Sequence, residues 1–129
     1  MVRPWGLFGW RCYAVAKILV VEDDLLIAME LGERLADLGH EVIGPAHAIA
    51  DAEALLAGER PHCALLDANV AGHSSVELGA KLAEMGVPLA FCTGYDEIKN
   101  LPPSLAQAPL MTKPISDAEL QAGLSKLLG

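Results

Sequence analysis

Four short stretches carry residue types that do chemistry together. Glu22-Asp23-Asp24 closes an aliphatic run, Asp67 closes a second, Thr93 a third, and Lys113 with Pro114 follows a fourth. Carboxylates within a few ångströms of one another repel, so such a cluster raises its pKa values or holds a cation. Magnesium takes one or two carboxylates, keeps several waters and completes its shell with phosphate oxygens, which suits an incomplete acidic pocket better than calcium does. A carboxylate at a strand tip can act as a nucleophile and form an aspartyl-phosphate. A metal, an ammonium and a hydroxyl can then neutralise the transferring phosphoryl oxygens. This set points to phosphoryl transfer onto Asp67, with Mg2+ held by Asp23 and Asp67 and Glu22 nearby, and with Lys113 and Thr93 assisting.

Each residue alone is weak evidence. An acidic triplet is more often a charge run at a helix N-terminus, an Asp after a strand is commonly a turn former or N-cap, and a Lys before Pro is commonly a solvated loop residue. Their common position matters more. In an open parallel sheet ligands bind beyond the carboxyl ends of the strands, and all four stretches fall there.

The elements that would place them so are five βα units from Lys17 onward. Lys17 to Val21 reads as the first strand, and Ala28, Leu31, Leu35 and Leu38 form the apolar face of its helix. A short strand from Glu41 to Ile43 is followed by a turn at Gly44-Pro45 and a helix from about Ala48 to Ala57. His62 to Leu66 is the third strand. The third helix begins near Ser74, with Ser74 and Glu77 at capping-box spacing. Val87 to Cys92 is the fourth strand, and Tyr95 to Leu101 allows only a short or mobile fourth helix before Pro102-Pro103. Ala108 to Thr112 is the fifth strand. The last helix opens with Ser116 and Glu119 as a second capping box and aligns Leu120, Leu124 and Leu127.

A chain of 129 residues with 53% hydrophobic residues fits one globular domain. The net charge of −8 disfavours nucleic acid, and no apolar run reaches the ~20 residues of a membrane span. Three cysteines, Cys12, Cys63 and Cys92, lack disulfide or zinc spacing and fit a reducing cytoplasm. Cys63 and Cys92 fall in strand-like runs and read as buried hydrophobes. His40, His47 and His62 show no ligand spacing, and His73 reads as solvated. Residues 1–16 hold both tryptophans and two arginines, without the apolar stretch of an export signal. We read them as an appendage outside the fold, a docking arm or self-association strand being the alternative, and 17–129 as the domain. No linker interrupts 17–129, so the expected signal leaves through this domain's own surface.

Over nearly all of Lys17 to Gly129 the motifs resemble those of receiver domains of two-component response regulators. Lys17-Ile-Leu-Val-Val-Glu22-Asp23-Asp24 is similar to that family's acidic strand end, Leu65-Leu66-Asp67 to its phosphoacceptor, Thr93-Gly94 to its switch hydroxyl and Lys113-Pro114 to its lysine and proline. The resemblance implies an α/β, flavodoxin-like (βα)5 fold, a doubly wound parallel sheet of strand order 2-1-3-4-5. It implies a Mg2+ site formed by Glu22, Asp23, Asp67 and the Asn69 main-chain carbonyl, and a cis Lys113-Pro114 bond. It also implies a histidine kinase or phosphotransfer protein as donor, a downstream protein target, and no enzymatic role beyond the domain's own phosphorylation and dephosphorylation. Asn69 and Tyr95 would flank the water that removes the phosphate.

Three features depart from or subdivide that pattern. Ala71 stands where the family often has Pro, which predicts a less rigid loop, and Leu110 stands where most members have Tyr or Phe. Phe91-Cys92-Thr93-Gly94-Tyr95 resembles a subgroup of single-domain receivers with Phe-Ala-Thr-Gly-Tyr-like motifs and no switch aromatic. Phosphorylation is then expected to order the segment from Tyr95 to Leu105 instead of rotating a ring. The competing readings are a degenerate receiver that binds partners without phosphorylation, and a small Mg-dependent phosphatase of the haloacid-dehalogenase kind. The phosphatase would need Asp-x-Asp after the first strand, where this chain has Glu-Asp-Asp.

Overall fold

The computed structural model describes residues 15–94 and 98–129. Cys12, Tyr95 and the aromatic residues before Val15 lie outside the described residues. In chain order the elements are β1 (Lys17–Val21), α1 (Leu25–Asp37), β2 (Glu41–Ala46), α2 (Ile49–Gly58), β3 (Cys63–Asp67), the two-residue strands β4 (Asn69–Val70) and β5 (His73–Ser74), α3 (Val76–Glu84), β6 (Leu89–Thr93), β7 (Leu110–Thr112) and α4 (Asp117–Leu128). Five strands form one parallel sheet in the order β2-β1-β3-β6-β7, which is the expected 2-1-3-4-5 arrangement.

Alternation along the strands builds two apolar layers, because successive side chains point to opposite faces of a sheet. Ile18 and Val20 of β1 and Leu65 of β3 meet Leu31 and Leu35 of α1 and Leu120 and Leu124 of α4. Leu19, Val21, Leu66 and Phe91 meet Ala52 of α2 and Leu78 and Leu82 of α3 on the other face. With both faces covered, the strands read as near-continuous apolar runs. Arg34 of α1 donates to Asp117 of α4 through Nε and Nη2 at 3.2 and 2.9 Å, joining the two helices of one layer. Ala16 is itself buried, so packing begins one residue before β1.

Several local expectations need correction. β2 does not stop at Ile43: it runs through a cis Gly44-Pro45 bond to Ala46, with an irregularity opposite β1. Gly44 has φ +96°, and a Cβ there would sit 2.6 Å from the Ala46 nitrogen, so glycine lets the strand continue where a turn is expected. Leu38 is the C-cap of α1 and is exposed instead of joining its apolar face. Helix α3 starts one residue later than predicted, with Ser75 as N-cap, and Ser74 Oγ accepts from the Val76 N–H at 3.2 Å, so no Ser74–Glu77 capping box forms.

The second capping box is half realised. Ser116 Oγ accepts from the Glu119 N–H at 3.0 Å, while Glu119 Oε2 turns to the Thr112 N–H at 2.9 Å and ties α4 to β7. Between β6 and β7 the described residues hold no α-helix, only a 3-10 turn at Pro103–Leu105 whose Leu105 is buried. The Lys113-Pro114 bond is cis, as the resemblance implied.

Candidate functional site

The strands β1, β3, β6 and β7 end side by side at the carboxyl edge of the sheet, and their next residues converge. The acidic triplet divides its work. Asp24 is the N-cap of α1, its Oδ1 accepting from the Leu26 and Ile27 N–H groups at 3.0 and 3.1 Å, a role that typically stabilises a helix by ~1 kcal/mol. Glu22 and Asp23 are left for the cleft. Carboxylate oxygens of Glu22, Asp23 and Asp67 all lie within 4.8 Å of one another.

Lys113 closes the group from the β7 side. Its Nζ lies 2.6 Å from Glu22 Oε1 and 3.1 Å from Asp67 Oδ2. Burial works against its charge, but the hydrogen bonds to Glu22 and Asp67 outweigh that and hold its pKa above the ordinary lysine value. Burial pushes the Glu22 carboxyl above the usual carboxylate range, opposed by the Lys113 hydrogen bond. Asp23 moves the other way, because the Ala71 N–H donates to its Oδ2 at 3.0 Å and favours the charged form.

Three carboxylates and one ammonium leave a formal surplus of two negative charges, which one divalent cation would neutralise. The donor set is all oxygen and hard, with too few carboxylates for a full protein cage, so it fits magnesium better than calcium. Asn69 is exposed on the loop after Asp67, and its N–H donates to Asp67 Oδ1 at 3.2 Å. Thr93 is buried at the end of β6, and its carbonyl accepts from the Lys113 N–H at 2.7 Å, which sets the two residues next to each other at the sheet edge.

Several contacts escaped sequence reasoning. Between Asp67 and α3 the chain forms a hairpin, β4 paired antiparallel with β5, turning at Ala71 (φ 52°) and Gly72 (φ 83°). Ala71 therefore belongs to a tight turn, not a loosened loop, and proline at that φ is impossible. Ser75 Oγ donates to the Asp67 carbonyl at 2.5 Å, and His47 Nδ1 lies 2.9 Å from the Glu22 carbonyl. Beside Asp67 a cleft of about 300 Å³ opens between α1 and the β7–α4 connection, walled by Ile27, Glu30, Arg34, Pro114 and Ile115. Apart from φ preferences at Ala71-Gly72, no local pattern announces these long-range contacts. Cys63 and Cys92 are buried, and burial pushes both thiols up to about 12, as expected of inert core residues.

No protein-family model matches the chain. It is 34% identical over 115 residues to the phyllosphere-induced regulator PhyR of Methylorubrum extorquens, an alignment that covers 87% of this chain and 43% of that protein. The receiver domain of Erythrobacter litoralis PhyR superposes with a TM-score of 0.74 at 28% identity, covering 88% of this chain and 90% of that one. SdrG of Sphingomonas melonis Fr1 superposes with a TM-score of 0.77 at 29% identity, covering 92% of this chain and 100% of that one. Fold and likeness together identify the chain as a response-regulator receiver domain. Its neighbours are PhyR-like receivers and single-domain ones, and it spans less than half of the curated PhyR.

Proposed function

We propose that the chain is a phosphoacceptor of two-component signalling, taking a phosphoryl group onto Asp67 from the phosphohistidine of a histidine kinase or phosphotransfer protein. One observation carries the reading: the Asp67 carboxylate sits at the tip of the central strand, bridged by Lys113 to Glu22 and within reach of Asp23. An Asp67 oxygen attacks phosphorus, the P–N bond to the donor imidazole breaks, and the imidazole keeps the electron pair and picks up a proton. Lys113 holds the carboxylate in place and neutralises charge on the phosphoryl oxygens, and Thr93 supplies a hydroxyl to the same anion. Glu22, Asp23, Asp67 and the Asn69 carbonyl would hold Mg2+, which supplies charge neutralisation between the carboxylates and the incoming phosphate.

The partners on this reading are proteins, a kinase upstream and a target downstream, and the setting is the cytoplasm. No described helix is long and apolar enough to cross a membrane. The chain catalyses only its own phosphorylation and dephosphorylation. Incubation with acetyl phosphate and Mg2+, followed by intact mass measurement, should add one phosphoryl group to the wild type and none to Asp67→Asn. A wild type inert to every donor would make the domain a phosphorylation-independent binding module, and turnover of free phosphoesters would make it a phosphatase.

A further inference from the structure

The amino edge of the sheet, opposite Asp67, carries a groove of about 980 Å³, more than three times the volume beside Asp67. Leu124 and Leu127 of α4 lie in its buried floor, and Val15, Leu38 and Leu128 are exposed large apolar residues on its rim. Among the described residues, its lining holds no Asp, Glu, Lys or Arg side chain. Leu38 is the C-cap of α1 and Gly129 the C-cap of α4, so the negative ends of two helix dipoles meet at this groove.

The chain that leads into Val15 has the matching composition. Of the six aromatic residues in the sequence, Trp5, Phe8, Trp10 and Tyr13 precede Val15, and Arg3 and Arg11 make that stretch the cationic part of a chain whose remainder carries −10, since −8 overall less their +2 leaves that value. Tyr13 is two residues from the groove rim, and Trp10, five residues away, is within roughly 18 Å of it even at full extension. Large flat side chains contribute most where an apolar concavity is open, and the arginines meet the helix C-termini with favourable charge.

We propose that residues 1–14 fold back onto their own domain and seat aromatic side chains in the groove between the C-terminal ends of α1 and α4. The occupant is this chain's own segment because Val15 is both the groove rim and the point of attachment. Covalent connection supplies a high effective concentration that a second copy lacks.

The two tryptophans make the test direct, because Trp5 and Trp10 are the only indoles and all tryptophan emission comes from the segment. In the full chain, emission should be blue-shifted, and iodide quenching well below that of a synthetic 1–14 peptide. Both should stay constant on dilution with the protein eluting as a monomer. Leu128→Glu should shift emission to that of the peptide and restore quenching, with circular dichroism and thermal unfolding showing the domain still folded. Leu38→Asn provides the same reading without placing a charge on α4. Three results each overturn the proposal: wild-type emission and quenching equal to the peptide's, protection lost on dilution together with a dimer mass, or protection unchanged in both folded groove variants. The second result would assign the groove to another copy of the chain.

Discussion

Lys113 and Lys17 each place Nζ 2.6 Å from a glutamate, the first at the carboxyl edge of the sheet and the second at the amino edge. Their surroundings differ. Lys17 and Glu59 are 41% and 39% exposed, whereas Lys113 and Glu22 are 23% and 5% exposed, and Asp23 and Asp67 crowd the second pair. Water screens the first pair, which makes it worth little. The second pair is partly desolvated, and its ammonium is shared with Asp67 as a second acceptor. Equal distances at the two edges therefore carry unequal consequences. The carboxyl edge concentrates negative charge around Asp67, while among the described residues the amino-edge groove is lined without Asp, Glu, Lys or Arg side chains.

Removing each lysine in turn tests that contrast most strongly. On the proposed function, Lys113→Ala should slow phosphorylation by acetyl phosphate ~100-fold, the scale expected when one charge-stabilising donor is lost from a reacting centre. In Mg-free buffer it should also lower stability by about 2 kcal/mol, since the Glu22 carboxylate loses its partner, and the lysine's partial exposure reduces the larger figure seen for fully buried pairs. Lys17→Ala should leave both the phosphorylation rate and the unfolding midpoint essentially unchanged, because water screens its pair with Glu59. A mass-spectrometric time course and urea unfolding of both variants measure this. Equal effects from the two substitutions would erase the distinction.

A smaller effect is expected at Ala71, whose N–H holds the ionised form of Asp23. Proline there has no N–H and cannot adopt a φ of 52°, so Ala71→Pro opens the hairpin turn and frees Asp23. Groups that orient metal ligands typically contribute 10- to 100-fold in affinity, and we expect Mg2+ binding to weaken by at least ~10-fold. Ala71→Gly keeps both the N–H and the backbone conformation, and should bind Mg2+ like the wild type. Titration calorimetry on the two variants decides it, and equal weakening by Gly and Pro would show that the N–H is irrelevant.

Ala71 also shows what sequence could and could not disclose. The strand ends were legible because apolar runs are interrupted by charge at Glu22, Asp67 and Lys113, and a parallel sheet places such interruptions on one edge. The helix faces were legible from spacing, as with Leu120, Leu124 and Leu127. Gly44-Pro45 is ambiguous in sequence, since the same dipeptide that signals a turn also permits an irregular strand paired with β1. Ser116 and Glu119 have capping-box spacing, but Glu119 Oε2 accepts from the Thr112 N–H instead, a partner set by tertiary packing. The hairpin after Asp67 is only two residues long on each side, too short for periodicity to reveal.

The mildest expected effect belongs to the amino edge, where imidazoles take the place that carboxylates hold opposite. His40 Nδ1 accepts from the Ala16 N–H at 3.3 Å, and His62 Nδ1 from the Lys17 N–H at 2.8 Å. An accepting Nδ1 is unprotonated, and burial lowers the His40 pKa below its ordinary 6.5. The unfolded chain then binds a proton at higher pH than the folded one. The stability that His40 contributes is therefore complete above about pH 6.5 and declines as pH falls from there toward its lowered folded value. His40→Gln retains a side-chain acceptor without a titrating ring, and should flatten that part of the slope of melting temperature against pH while leaving the midpoint at pH 8 nearly unchanged. A wild-type slope that survives the substitution unaltered would move the acid sensitivity away from the amino edge and onto the carboxylate cluster.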